Sequence, residues 1–173
     1  NLAFLQAKLW DASTKTLYSR WRDGHRDEVQ LLDAYANLLA GVTDLYEATL
    51  DPRQLQFAVE LADSLVARFH DPVAGGFWQT TAGAPHLLLR SKDDYDGAEP
   101  SGNSVATFAL LKLAALTGRV EFRQAAEATL QLFAVRMEKL PQAVPYMLHA
   151  LDFWLGEPRR VVIAGDTNSV NFH

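Results

Sequence analysis

Residues 90–104 read RSKDDYDGAEPSGNS and concentrate the side chains of this chain that can do chemistry. Asp94, Asp96 and Glu99 are carboxylates close enough to work as a pair. One protonated as acid and one ionised as base or nucleophile is the arrangement that hydrolyses a glycosidic bond. Asp33, near the start of the preceding buried helix, can oppose them across a mouth. Lys92 offers a cation to an anionic substituent. Ser101, Gly102 and Asn103 offer helix-start amides to a hydroxyl or anion, with the glycine allowing close approach. Trp78 and Tyr95 lie on connections where their rings can stack on a sugar, and Tyr35 is a further aromatic candidate.

Each residue has a structural alternative. Asp96 and Glu99 can cap the helix that starts near Asn103 or bond loop amides. Ser101-Gly102-Asn103 can be a bare turn and cap, and Lys92 can pair with Asp94 as a solvated ion pair. Trp78 can be packing in a strand, and Tyr35 and Tyr46 can be core aromatics with satisfied hydroxyls. His149, on an apolar helix, reads as a hydrogen-bonded core histidine. No histidine and acid residues fall at metal-ligand spacing, so no metal and no cofactor are expected.

The elements that position these residues follow from periodicity. Residues 1–10 read as the end of a helix and 16–22 as a short aromatic strand bounded by Asp23-Gly24, with polar loop over 24–28. Apolar residues on every side predict buried helices over 29–50, 105–116 and 143–155. Pro145 is tolerable in the last of these because it sits in the first turn. One-sided stripes predict covering helices after Asp51-Pro52, through Leu55 to Phe69, and over 121–137. Gly118 marks a helix end. Residues 75–81 (GGFWQTT) read as a strand, with 87–90 pairing to it across the 83–85 turn, and 160–164 as strand-like.

The alternation of buried and covering helices suggests a repeat. Ala7-Lys8-Leu9-Trp10-Asp11 matches Ala67-Arg68-Phe69-His70-Asp71, and Leu17-Tyr18 falls on Phe77-Trp78 at the same offset. Leu55, Ala58, Glu60 and Leu65 likewise fall on Phe122, Ala125, Glu127 and Leu132. Repeated helical hairpins mean a closed ring or a solenoid, and doubly buried inner members favour the ring: an all-α domain, part of an α/α toroid with short β-hairpins in its connections. The connections feeding the inner helices would then gather at one mouth, bringing 24–33 and 90–104 together.

Composition narrows the partners. The chain has 173 residues, is 49% hydrophobic and carries a formal charge of −5 with no basic stripe, which argues against nucleic acid. No apolar run reaches the roughly 20 residues of a membrane span. The absence of cysteine fits a reducing, cytoplasmic setting. No signal peptide is read at the start, and NLAFLQAKLWD reads as mid-helix, so residues 1–173 are expected to be one partial toroid domain from a longer chain.

The runs Leu32-Asp33-Ala34-Tyr35-Ala36, Leu45-Tyr46-Glu47-Ala48-Thr49, Gly75-Gly76-Phe77, Lys92-Asp93-Asp94-Tyr95-Asp96-Gly97-Ala98, Pro100-Ser101-Gly102-Asn103-Ser104 and Val161-Val162-Ile163 carry a family resemblance. The chain resembles the C-terminal helical region of the thioredoxin-domain-containing family that includes the spermatogenesis-associated thioredoxin-like proteins. That resemblance implies a six-hairpin glycosidase-like toroid following a thioredoxin-like domain that is absent here. It implies a carbohydrate-active or carbohydrate-binding module with its pocket at 90–104. The alternatives are a non-catalytic scaffold docking a thioredoxin-like domain or another protein, and a sugar epimerase; the expected partners are a carbohydrate and a thioredoxin-like domain or the remaining toroid segments. Epimerases of this fold use paired histidines, whereas His25, His70, His86, His149 and His173 do not fall at matching inner-helix positions.

Overall fold

A computed structural model describes residues 1–84 and 89–156. The expected strands at 87–90 and 160–164, and His86 and His173, lie wholly or largely outside the described residues. A short helix α1 (Leu2–Lys8) leads into β1 (Trp10–Asp11) and β2 (Thr16–Leu17), which pair antiparallel, and then into β3 (Trp21–Arg22) and β4 (His25–Arg26), a second hairpin. Long helices α2 (Leu32–Thr49) and α3 (Pro52–Phe69) follow, and then α4 (Gly102–Thr117) and α5 (Val120–Leu132). Helix α6 (Ala134–Lys139), a 3-10 turn at Pro141–Ala143 and α7 (Pro145–Leu155) complete the described chain. Helices α2, α4 and α7 form an inner layer, with α4 between the other two, and α3, α5 and α6 pack outside it. The fold is all-α, as the periodicity predicts.

Local chemistry fixes the helix ends. Asp51 accepts the Arg53 N–H at 2.9 Å with Pro52 at the first helical position of α3, satisfying one of the orphan donors of a helix start. Ser101 does the same for α4, accepting the Ser104 N–H at 3.2 Å. Gly118 ends α4 in the left-handed region at φ 75°, a conformation that favours glycine.

Helix α4 is the axis of the core. Every residue from Gly102 to Thr107 is buried, as are Ala109, Leu110, Leu111 and Leu113. The expectation of all-round burial fails for its flanking partners. Asn37, Gly41 and Asp44 on α2 and His149 and Asp152 on α7 are exposed. These helices border α4 on one side each, so apolar composition overstates their burial.

Three further expectations change. The strand over 16–22 is two strand halves in separate hairpins, because Asp23 (φ 51°) and Gly24 (φ 82°) form a two-residue turn with both φ values positive. That turn is the usual closure of a tight hairpin, and it makes His25–Arg26 a strand rather than loop. Among the described residues, 75–81 form no ladder and make the isolated bridges Leu31↔Thr80 and His70↔Phe77. The helix over 121–137 breaks at Phe133 (φ −94°, ψ 9°). Phe133 and Met137 both stay buried, so the apolar spacing runs through a break that it cannot reveal.

The repeat is real in three dimensions. Trp10 pairs with Leu17, and His70 with Phe77. Tyr18 N–H donates to the Leu9 carbonyl at 3.0 Å, and Trp78 N–H to the Phe69 carbonyl at 2.8 Å. Asp11 Oδ1 accepts the amides of Ser13 and Thr14, and Asp71 Oδ1 those of Val73 and Ala74. Even the cations correspond. Arg26 sits 3.9 Å over the Tyr18 ring and 3.7 Å from Asp11, while Lys92 sits 4.4 Å over the Trp78 ring and 2.8 Å from Asp71.

Because Leu110 is fully buried on the axial helix, Leu110→Ala should lower unfolding free energy by about 2–5 kcal/mol. Urea denaturation followed by helical circular dichroism measures it. A cost under about 1 kcal/mol would show that α4 is not the packing centre.

Candidate functional site

The starts of the three inner helices meet at one end, as the sequence predicts for a mouth, but the loop of 90–104 serves mainly to tie them together. Asp96, 7% exposed, accepts the Ser101 N–H at 2.9 Å from the start of α4. Its other oxygen accepts the Tyr146 and Met147 amides at 2.8 and 3.2 Å, which caps α7. The Asp96 N–H donates to the Ala143 carbonyl at 2.8 Å. A carboxylate with its oxygens on three amides, at two helix N-termini, is held there by hydrogen bonds and helix dipoles.

Asn103 is fully buried and takes the place of a neighbouring strand. Its Oδ1 accepts the Phe77 N–H at 2.7 Å, and its Nδ2 donates to the Phe77 and Asp93 carbonyls at 2.9 and 3.0 Å. Both polar groups of the Phe77 backbone are thereby met by one side chain. In the first repeat unit Tyr35 meets the equivalent need, its hydroxyl accepting the Leu17 N–H at 2.7 Å. Tyr35 is fully buried and edge-on to Phe69 at 5.1 Å, so its expected role at a ligand is corrected to core packing. Asn103 likewise has no surface for a ligand, and Ser101, 8% exposed, is the α4 cap.

Asp33 stands in the first turn of α2. It accepts from Gln79 Nε2 and from the Gly102 amide, and a Cβ on residue 102 would collide with Asp33 Oδ1 and the Leu32 side chain. A larger residue at 102 would therefore have to displace Asp33 or Leu32 where α2 and α4 cross at the mouth. Burial pushes the Asp33 pKa up; the Gln79 hydrogen bond opposes the rise, and the negative charges of Asp93 and Glu99 add to it. Asp33 and Glu99 thus feel each other across the mouth.

The remaining candidates separate. Lys92 does not pair with Asp94: its ammonium bonds Asp71 Oδ2 at 2.8 Å and the Gly75 carbonyl at 2.6 Å. That hydrogen bond, aided by the Val73 and Ala74 amides, holds the Asp71 carboxyl far below the usual carboxylate range. Asp94 lies 3.2 Å from Arg136 Nε instead. Trp78 is half-buried with the cations of Lys92 and Arg90 4.4 and 4.8 Å from its ring centre. Tyr95 and Glu99 remain exposed at the rim, Tyr95 by 63%.

A feature the sequence reading missed lies beside the mouth on the inner face. His149 is exposed, and its ring lies 4.3 Å from that of Phe108 on α4. Tyr146 and Phe153 of α7 stand edge-on to Phe108 at 5.8 and 5.5 Å. All three of those partners are half-buried, which corrects the expectation of His149 as a hydrogen-bonded core residue. Among the described residues the His149 side chain makes ring contacts and no hydrogen bond. Lys112 borders this cluster, 5.9 Å from the Phe108 ring centre, and bonds Asp44 and Glu47 of α2, both at 2.7 Å. Burial, followed by the Asp44 charge, raises the Tyr146 phenol pKa. The signal available in the sequence was the spacing Tyr146-His149-Phe153, three and four apart on one helix face.

A separate concavity of about 410 Å³ between α5, α6 and α7 is lined by Leu130, Ala134, Met137, Leu148, Leu151 and Trp154. Glu127 on its rim is already bonded to Arg123 and to the Trp154 indole, and it lacks the convergent polar groups of a ligand site. No group of acids and histidines among the described residues has metal-binding geometry, and no described helix is long and apolar enough to cross a membrane.

Because Asn103 alone satisfies both polar groups of Phe77 and is fully buried, Asn103→Ala should cost about 2–4 kcal/mol, whereas Glu99→Gln should change stability by less than about 0.5 kcal/mol. Chemical denaturation of the two variants provides the comparison. The depressed Asp71 pKa means that its stabilisation is complete above the unfolded value of 3.8 and is lost as pH falls below it. Asp71→Asn, which can still accept the turn amides, should therefore show a shallower loss of stability between about pH 4 and pH 2 than the wild type.

No family model matches the chain. It is 35% identical over 173 residues to spermatogenesis-associated protein 20 of Mus musculus, covering 94% of this chain and 22% of that protein. It is 39% identical over 137 residues to the Homo sapiens protein of the same name, covering 78% of this chain and 17% of that one. The chain thus spans about a fifth of the length of the curated relatives it matches. Among solved structures it superposes on cellobiose 2-epimerase from Spirochaeta thermophila with a TM-score of 0.58 and 23% identity, over 76% of this chain and 35% of that one. That likeness establishes the fold as part of an α/α toroid, and the chain is homologous to a segment of spermatogenesis-associated protein 20.

Proposed function

We propose that this chain is a carbohydrate-binding layer of an α/α toroid, with its ligand along the inner face from the mouth to α7. The observation that carries the reading is the aromatic group of Phe108, Tyr146 and His149, left partly open on the face that a toroid turns toward its axis. Aromatic rings stack on the C–H faces of sugars while polar groups around them bond the hydroxyls. Tyr95 and Glu99 are exposed at the rim above, and Asp33 lies just inside. The structural neighbour's description as a cellobiose epimerase favours a sugar as ligand, by analogy of fold.

The reading is of binding. Of the acids that could have formed a hydrolytic pair, Asp96 is committed to amides and Asp94 to Arg136. Glu99 and Asp33 are proposed as hydroxyl-bonding groups. The chain is further proposed to be one part of a longer ring whose other helices come from the rest of a family polypeptide, since its relatives are several times longer.

Tyr146→Leu and His149→Ala should each weaken binding of the best ligand on a broad glycan panel by about 3- to 10-fold, with helix content unchanged by circular dichroism. Calorimetric titration supplies the affinities. If the wild-type protein retains no glycan, or if both variants bind like wild type, the proposal fails.

A further inference from the structure

The inner layer has an uneven charge inventory. Lys112 is the sole lysine or arginine in α2, α4 and α7, against Asp33, Asp44, Glu47 and Asp152. Its ammonium lies beside the Phe108 ring, where it would be the natural partner of a carboxylate or phosphate on a bound ligand. It is held instead by two carboxylates at 2.7 Å, with its side chain only 17% exposed. Burial disfavours the charged amine, but the hydrogen bonds it donates to Asp44 and Glu47 prevail and keep its pKa above the ordinary value. One cation shared between two anions leaves a net negative group.

The cations nearer the mouth lie away from Phe108 and have partners of their own. Lys92 is bound to Asp71 and the Gly75 carbonyl, Arg90 to the Thr80 carbonyl, and Arg136 lies against Asp94. An anionic sugar beside Phe108 would shed water and meet Asp44 and Glu47 with the Lys112 ammonium already taken, which costs affinity. An uncharged sugar pays no such penalty, because hydroxyls can donate to the same carboxylates.

We propose that Asp44 and Glu47 determine the charge selectivity of the inner face: by holding Lys112 they bar phosphorylated and carboxylated sugars and leave the site to uncharged ones. The inference rests on the carbohydrate reading above and deepens it. Asp44 and Glu47 act through Lys112, so they are positioning residues for selectivity. Removing their charges should release the ammonium toward the ligand and turn a barrier into an attraction.

The test uses cellobiose, its C6-carboxylate counterpart and cellobiose 6-phosphate, titrated calorimetrically into three proteins. The wild type should prefer cellobiose over both charged forms by at least about fivefold. The Asp44→Asn/Glu47→Gln variant should narrow or reverse that ratio, and adding Lys112→Met should abolish the gain. Salt should weaken the gained binding and leave cellobiose binding little changed. Equal wild-type binding of charged and uncharged forms would overturn this inference alone, and so would wild-type discrimination that the double variant keeps. Absence of binding of all three sugars by all three proteins would overturn it together with the carbohydrate reading.

Discussion

Three helices that begin side by side bring together up to twelve backbone N–H groups with no partners of their own, and this structure is arranged around that problem. Asp96 answers for two helices at once, since its carboxylate reaches both Ser101 at the start of α4 and Tyr146 and Met147 at the start of α7. Asp33 joins α2 to the Gly102 amide of α4. The carboxylates gather because amide donors and helix dipoles gather, and each favours negative charge. An acidic loop ahead of buried helices is therefore explained first by what it holds together. Chemistry can be sought only among the groups left over.

This distinction shows how far the sequence could be read. Asp51-Pro52, Ser101 and Gly118 mark helix ends by local rules, and the structure uses each of them as the rules require. Alternating all-round and one-sided apolar helices gave the two-layer order, because burial on a helix leaves a period in the sequence. The Asp71 turn and its Asp11 counterpart were legible as a repeat, because the hairpin chemistry is short-range. What could not be read depends on distance. Asp96 finds its partners 50 and 51 positions away, and Asn103 finds Phe77 at 26. Lys92 chose Asp71 over the nearer Asp94 for the same reason: the bend at Gly75 brings Asp71 and a free carbonyl to it together. His149 was misplaced because apolar composition cannot distinguish a helix enclosed on all sides from one with an open inner flank.

The two repeat units also show how one architectural need is met by different chemistry. The amide of Leu17 is taken by a tyrosine hydroxyl, and that of Phe77 by an asparagine carboxamide. The tyrosine solution carries a large ring into the core, where it packs on Phe69. The asparagine solution is smaller, supplies a donor as well, and so also secures Asp93 of the polar loop. Tyr18 under Arg26 and Trp78 under Lys92 follow the same logic, conserving an aromatic plate beneath a cation while changing both members. What is held constant between the units is a set of hydrogen-bonding obligations, with the side chains free to differ.

The reach of Asp96 has a consequence for how the polypeptide matures. During synthesis the N-terminal hairpins and α2 and α3 can emerge and pack before the rest exists, since Ser64 and Arg68 of α3 already find their partners at residues 14–16 and Tyr35 of α2 finds Leu17. Helix α4, wholly buried from Gly102 to Thr107, emerges next, but the Asp96 carboxylate in the preceding loop still lacks the α7 amides it will cap. Until residue 147 has cleared the ribosome, one flank of α4 stays greasy and uncovered, so this interval is when a nascent chain would most need a chaperone.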